Sequence, residues 1–210
     1  MRWVVLANNG LKDEFLAYGV IDEVRIEWIN KVEEFKNYPD ADVFFDLLFE
    51  NDKERKNVLK QLLPKPVIVN SVIHSSKEIG YPFIRINGWL TFLKRGIIEA
   101  SCLPDADKSI AEKIFSAMNR KTKWVPDVPG FISARVVAMI INEAYFALEE
   151  KVSTREEIDT AMKLGTNYPY GPFEWATKIG LRKISELLDF LYKTEKRYQP
   201  ASLLQKEAKN

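Results

Sequence analysis

The chain has 210 residues, of which 46% are hydrophobic and 29% are charged, a composition typical of a globular protein with a substantial core. Its 31 basic and 30 acidic residues leave a formal charge of +1, which gives no electrostatic reason to expect a nucleic acid or an anionic membrane as a partner. A single cysteine, Cys102, excludes an internal disulfide and a CxxC metal site, and a single histidine, His74, excludes a multi-histidine metal centre.

The amino-terminal segment MRWVVLANNG contains an apolar run that is too short for the core of a signal peptide. No apolar run in the sequence approaches the length of a membrane span. We therefore expect a cytoplasmic protein that is not inserted in a membrane.

Short apolar runs alternate with helical patterns in the first part of the chain, which predicts a mostly parallel sheet flanked by helices. A short amphipathic helix after the first strand carries Leu11, Phe15 and Leu16 on one side. The predicted strands are 3–7, 24–29, 42–49, 67–72, 83–86 and 96–102, and two longer helices are predicted at 54–63 and 109–119. We interpret the pair Lys94 and Arg95 and the charged run 120–123 as solvated loops.

The pattern changes at WVPDVPG, 124–130, where two prolines and a glycine interrupt it. We place a domain boundary here, between residues 1–124 and 125–210. Beyond it, Val136, Met139 and Ile140 follow the three- and four-residue steps of a helix. Ser153 or Thr154, followed by Glu157, predicts the capped start of the next helix. Gly165 is predicted to end that helix.

Three stretches of the second half, in matching order and spacing, resemble the helical C-terminal domain of the 3-hydroxyacyl-CoA dehydrogenase family. They are DVPGFI at 127–132, NEA at 142–144, and EIDTAMKLG at 157–165 running on to GPFE at 171–174. The resemblance implies an α/β Rossmann-like domain followed by an all-α domain of the 6-phosphogluconate dehydrogenase C-terminal-like type. It also implies a homodimer formed through the helical domain. Two apolar faces are candidate contacts, one with Val136, Met139 and Ile140 and the other with Ile184, Leu187, Leu188 and Leu191, and both are equally consistent with an intramolecular core.

Fainter similarities in the first half assign positions for NAD, the cofactor that the resemblance implies. DVFFDLLFEN at 42–51 is similar to the segment that passes behind the nicotinamide ribose, which puts Glu50 and Lys53 at cofactor-contacting positions. Asn70 and Ser71 resemble the Asn-Thr-Ser end of the strand that follows. The corresponding domain of the family is longer, and the resemblance therefore implies an abridged domain here.

A dinucleotide fingerprint needs three glycines, in the pattern GxGxxG, between the first strand and the first helix. Only Gly10 matches, because Asn8 and Asp13 occupy the other two positions. Asn8 tolerates the left-handed turn, but Asp13 adds a side chain and a negative charge near the phosphate site. We therefore expect that dinucleotide binding has been lost.

In the family, a His takes the hydroxyl proton, a Glu orients the His, and Ser and Asn groups surround the substrate oxygen. The resemblance aligns the His with Ile84, the Ser with Val72, the Asn with Ala134 and the Glu with Glu99. Removing a general base typically costs about 10²–10⁴-fold in rate. The sequence therefore predicts a catalytically impaired member of the family.

Three hypotheses from different classes remain open. The first is a non-catalytic protein that keeps the fold in order to bind an acyl-CoA-like ligand or a partner. The second is an active NAD-dependent 3-hydroxyacyl-CoA dehydrogenase of fatty acid metabolism with shifted residues, using Glu99, Ser71 and the one imidazole, His74. The third is a structural or regulatory subunit that associates through its helical domain.

Overall fold

The structure is a computed structural model that describes residues 1–104, 106 and 108–209. It divides into two compact units, Met1–Phe131 and Ile132–Asn210. The first unit is a sheet with helices on both faces, and the second is helical throughout. Within the described residues, no helix is long and apolar enough to cross a membrane.

The first unit contains seven strands and four α-helices in the described residues. The strands are β1 (Arg2–Leu6), β2 (Arg25–Ile29), β3 (Val43–Asp46), β4 (Val67–Asn70), β5 (Ile84–Ile86), β6 (Ile97–Ser101) and β7 (Lys121–Trp124). The helices are α1 (Asn9–Phe15), α2 (Lys53–Lys60), α3 (Ser76–Ile79) and α4 (Lys108–Ala117), and a 3-10 helix spans Val32–Asn37.

The seven strands form one sheet in the order β2-β1-β3-β4-β5-β6-β7. All neighbouring pairs are parallel except β5 with β6. The chain moves from β1 outward to β2 and then returns to β3 on the other side of β1. The strand order therefore reverses between β1 and β3, and in open α/β sheets this switch point is where ligands bind, beyond the carboxyl ends of the strands.

Each face of the sheet buries its own hydrophobic core. The first core contains Trp3, Phe15 and Phe45, with α1 and α4 packed over it, and the second contains Phe35, Phe44 and Phe83. Alternate residues of β3 point to opposite faces, and both faces are covered. This explains why the central strands are apolar along their whole length.

The α/β class and most predicted elements of the first unit are confirmed. Several strand ends were predicted wrongly, and one strand, β7, was missed. The predicted strand at 42–49 ends at Asp46, because the Asp46 carboxylate accepts the Leu48 backbone N–H at 3.1 Å and turns the chain. Lys121 and Lys123 do not lie in a solvated loop: they are exposed residues of β7, an edge strand, where lysines discourage pairing with another chain. Arg120 is likewise not solvated but buried, donating to the carbonyls of Glu14 and Phe15.

In its described residues the second unit packs five α-helices together, and a 3-10 helix spans Lys196–Tyr198. They are α5 (Ser133–Glu149), α6 (Arg155–Thr166), α7 (Pro172–Ile179), α8 (Leu181–Tyr192) and α9 (Ser202–Glu207). Thr154 caps α6 in a capping box with Glu157, as one of the two predicted alternatives. The prediction that Gly165 ends α6 is wrong: Gly165 lies inside the helix, and Asn167 takes the left-handed conformation at φ 56°. Asn is the side chain that best tolerates this conformation.

The stretches 157–165 and 171–174, which resemble the family, form a contact between α6 and α7. The Asp159 carboxylate accepts the backbone N–H groups of Phe173 at 2.8 Å and Glu174 at 3.2 Å, and thereby caps α7. A side chain at Gly171 is impossible in this packing, because a Cβ there would lie 2.3 Å from Asp159 Cγ. The spacing from Asp159 to Gly171 is therefore an architectural requirement of the helical unit.

Candidate functional site at the carboxyl edge of the sheet

The turn between β1 and α1 satisfies its own backbone groups. The side-chain oxygen of Asn8 accepts the Leu11 N–H at 3.0 Å and caps α1. Gly10 is exposed, and Asp13 is exposed as the fifth residue of the helix. The expectation that Asp13 faces the helix N-terminus is wrong, since α1 begins at Asn9 and its first turn contains no acidic residue.

The side chain of Asn70 links the carboxyl ends of β3, β4 and β5 through hydrogen bonds. Its side-chain nitrogen donates to the carbonyls of Leu47 and Gly88, both at 3.0 Å, and its side-chain oxygen accepts the Gly88 N–H at 2.9 Å. A Cβ at Gly88 would lie 2.9 Å from Asn70 Cγ, and glycine is therefore required there. The carboxamide of Asn70, a candidate cofactor contact, is fully engaged within the protein.

The segment after β5, residues 88–95, crosses toward α1. The Leu90 side chain lies 3.4 Å from the position that a Gly10 Cβ would take. On α1, the two carboxylate oxygens of Glu14 accept the N–H groups of Thr91 at 2.7 Å and Lys94 at 3.2 Å. The extra residues that follow Gly88 thus fold as a run of turns that contacts α1 near its start, at Gly10, and near its end, at Glu14.

The predicted catalytic positions of the first unit are largely apolar and closed. Ile84, at the His position, is 8% exposed, and Val72, at the Ser position, is 2% exposed. Glu99 is half-buried on β6 and accepts a hydrogen bond from the Asn87 side chain at 3.0 Å. Burial lowers the pKa of Arg95, while the nearby charges of Glu99 and Glu14 act in the opposite direction. The Glu99 carboxylate therefore accepts a hydrogen bond from the Asn87 amide and lies near the Arg95 guanidinium.

The remaining candidate residues lie in other parts of the two units and have the following surroundings. The Ser71 hydroxyl donates to the carbonyl of His74 at 3.0 Å, within the turn after β4. Glu50 and Lys53 are both exposed, before and at the start of α2. In the helical unit, Ala134, at the Asn position, is fully buried in α5. The roles of all these residues stay predictions.

Two buried ion pairs were missed by the sequence reasoning. Arg55 donates twice to the fully buried carboxylate of Asp46, each bond 2.6 Å long. Burial raises the pKa of Asp46, against the opposing effect of Arg55. The Arg85 guanidinium, fully buried, pairs with Asp127 and donates to the carbonyl of Ser71. A charged residue inside an apolar strand run, in VFFDLLF and in FIRI, was the available signal.

Comparisons with known proteins identify relatives of both units. Residues 130–210 match the family model described as 3-hydroxyacyl-CoA dehydrogenase, C-terminal domain. The 3-hydroxyadipyl-CoA dehydrogenase of Escherichia coli is 41% identical over 114 residues, 53% of this chain and 24% of that protein. The 3-hydroxybutyryl-CoA dehydrogenase of Bradyrhizobium diazoefficiens is 24% identical over 220 residues, 95% of this chain and 74% of that protein. Residues 130–210 therefore belong to the 3-hydroxyacyl-CoA dehydrogenase C-terminal domain family, and the chain as a whole is similar to dehydrogenases of that family.

Solved structures of 3-hydroxyacyl-CoA dehydrogenases share the fold across both units. The (S)-3-hydroxybutyryl-CoA dehydrogenase PaaH1 from Ralstonia eutropha aligns with a TM-score of 0.75 and 20% identity, covering 98% of this chain and 92% of that one. The match to curated relatives is more partial: the chain spans 24% of the Escherichia coli relative and 34% of the probable 3-hydroxybutyryl-CoA dehydrogenase of Bacillus subtilis.

NAD is the cofactor expected for the 3-hydroxyacyl-CoA dehydrogenase family, and the turn between β1 and α1 is where its pyrophosphate would lie. In this structure the Asn8 carboxamide caps the helix by accepting the Leu11 N–H, while Gly10 is exposed and the Leu90 side chain lies 3.4 Å from the position that a Gly10 Cβ would take. A pyrophosphate binds the free N–H groups of the first helical turn. The Leu11 N–H, which Asn8 already engages, does not fit such a contact.

Proposed function

We propose that this protein is a 3-hydroxyacyl-CoA dehydrogenase-like protein that is catalytically impaired. The observation that carries the proposal is Ile84, a buried hydrocarbon at the position of the proton-transferring His. Glu99, at the position of the orienting Glu, accepts a hydrogen bond from the Asn87 side chain. Because an aliphatic side chain cannot accept a proton, the chain lacks a general base at the site where the family's chemistry requires one.

The retained role that we propose is binding of an acyl-CoA-like ligand, together with homodimerisation through the helical unit. The fold of both units is preserved, although the residues for hydride chemistry are not. Two features of the helical unit support the proposal: the Asp159–Gly171 contact is intact, and α5 carries exposed apolar residues, including Val136 at 52% exposure. An exposed apolar stripe on a helix is typical of an interaction surface.

An absorbance assay tests the proposed loss of catalysis. The full chain is incubated with acetoacetyl-CoA and NADH while nicotinamide absorbance is followed, with a Ralstonia eutropha-type relative as the positive control. We expect no consumption of NADH above the protein-free rate. Turnover by the wild-type protein that Glu99→Gln abolishes would contradict the proposal and establish an active dehydrogenase with shifted residues.

Thermal-shift titrations with CoA and with NADH test the proposed ligand. A ligand that binds only the folded state raises the melting temperature with increasing concentration. We expect a saturable rise with CoA and none with NADH. A flat response to both would argue against a ligand and would favour a purely structural or regulatory subunit.

A further inference from the structure

The segment 88–95 follows a path across the carboxyl edge of the sheet. Gly88 is joined through the Asn70 side chain to the carbonyl of Leu47, which immediately follows β3. Two residues later Leu90 reaches the start of α1 at Gly10. The segment therefore runs from β5, past the ends of β4 and β3, to the turn after β1, and this path passes over the switch point of the sheet.

The same segment is packed as part of the hydrophobic interior. Trp89 is 4% exposed, Phe92 3% and Leu93 1%. Leu93 belongs to the core beneath α1 and α4, and Leu90 packs against that core. An open dinucleotide crevice would leave this region to the ligand and to water. Here Trp89, Phe92 and Leu93 are buried, Leu90 is half-buried, and Gly10 at the turn after β1 stays exposed.

The segment is held in a conformation that costs free energy. Thr91 has a φ of 77°, in the region that β-branched residues rarely adopt. Its buried hydroxyl oxygen has no hydrogen-bond partner among the residues that the structure describes. The Glu14 carboxylate offsets this cost by accepting the N–H groups of Thr91 and Lys94. Strain of this kind persists only where the surroundings enforce it, and it is typical of switch segments.

We propose that residues 88–95 are a built-in plug that occupies the dinucleotide crevice and that Glu14 holds the plug in place. The plug and the missing general base are separate properties, and the inference therefore goes beyond the proposed function. A base could be absent from an open crevice, and a plugged crevice could stand beside an intact base. In this proposal the chain's own side chains occupy part of the crevice, and Gly10 stays exposed at its edge.

Amide hydrogen exchange of the full chain, without substrate, tests the plug. We expect the Thr91 and Lys94 amides to be protected in the wild-type protein. Glu14→Ala removes two hydrogen bonds to a charged acceptor and should accelerate exchange at both amides by at least about tenfold. Asp13→Ala, the same loss of charge at the neighbouring exposed position, should leave both amides unchanged. The amides of β3 and β4 should stay protected in every variant and thereby report that the fold is intact.

The variant Glu14→Gln and a measurement of NADH binding complete the test of the plug. Glu14→Gln retains an acceptor oxygen and should accelerate exchange less than Glu14→Ala, even if the alanine variant folds poorly. Saturable binding of NADH to the wild-type protein, measured by nicotinamide fluorescence, would overturn the plug, as would unprotected Thr91 and Lys94 amides. Unprotected amides without NADH turnover would overturn the plug alone, whereas turnover would overturn both the plug and the proposed loss of catalysis.

Discussion

At the scale of the residue, the buried charge of Arg85 is compensated by the carboxylate of Asp127. The guanidinium of Arg85 has no exposed surface, and Asp127 is the carboxylate that it contacts. Asp127 also accepts the backbone N–H of Ser76 at 2.8 Å. Burial raises the pKa of Asp127, but the Ser76 hydrogen bond and the Arg85 charge outweigh it and leave the pKa below its usual range.

The substitution Asp127→Asn should therefore destabilise the protein in a pH-dependent way. At neutral pH it strands the Arg85 charge, and we expect a loss of about 3 kcal/mol in the free energy of unfolding. A carboxyl group with a lowered folded-state pKa stabilises the fold above its unfolded pKa, about 3.9, and the contribution disappears as the pH falls through the folded value. Urea unfolding from pH 7 down to pH values below about 4 should show the difference from wild type shrinking.

An exposed carboxylate provides the control for this prediction. Asp22→Asn removes the same charge from the surface and should change the free energy of unfolding by no more than about 0.5 kcal/mol at any pH. A difference between Asp127→Asn and wild type that stays constant across the pH series would contradict the assignment of the stabilising charge to Asp127.

At the scale of the element, the sequence predicted the strands whose position depends on a local apolar pattern. It missed the strand ends that depend on contacts with distant residues. The alternation of apolar runs located β1 to β6, because burial on both faces requires apolar strands. β7, KTKW, has no such pattern, since it is an edge strand whose one partner among the described strands is β6. The ends of β3 and β4 depend on the side chains of Asp46 and Asn70, whose partners come from other segments. Periodicity carries no information about these contacts.

The candidate site shows the same division. The prediction that Ile84, Val72 and Ala134 stand at the His, Ser and Asn positions came from the sequence, because it depends on residue identity in a family-like pattern. The contact of Leu90 with Gly10 could not be predicted, since it joins positions 80 residues apart in a segment without a periodic pattern. Resemblance to the family therefore predicts the catalytic positions, but not the path of segment 88–95.

Alanine substitutions at two glycines should change the free energy of unfolding in opposite directions. Gly88→Ala places a Cβ against Asn70 and should break the hydrogen bonds that join the ends of β3, β4 and β5, with a cost of about 2 kcal/mol. Gly165→Ala adds a methyl group in open space inside α6 and should stabilise the protein by about 0.5–1 kcal/mol. Guanidinium unfolding of both variants measures the difference. A Gly88→Ala protein as stable as Gly165→Ala would show that the Asn70 contact is dispensable.

At the scale of the whole molecule, the exposed apolar stripe of α5 needs an explanation. Ile132 and Val136 are 50% and 52% exposed, and Met139 and Ile140 on the same side of the helix are half-buried. By contrast, the stripe of α8 that was an equal candidate for dimerisation is core: Ile184, Leu187 and Leu188 are fully buried within the unit. The α5 stripe is therefore the surface on which the proposed homodimer depends.

Val136→Asp tests this surface directly. A carboxylate at the centre of an apolar interface must lose its hydration without gaining a partner, and the cost of several kcal/mol should dissociate a dimer at micromolar concentration. Sedimentation velocity should show a dimer for the wild-type protein and a 24.3 kDa monomer for the variant. Val152→Asp is the matched control, because Val152 is 69% exposed but lies in the turn after α5, outside the stripe, and its replacement should leave the dimer intact. A wild-type chain that sediments as a monomer at every concentration would remove the homodimer from the proposal, and equal dissociation of both variants would move the interface away from α5.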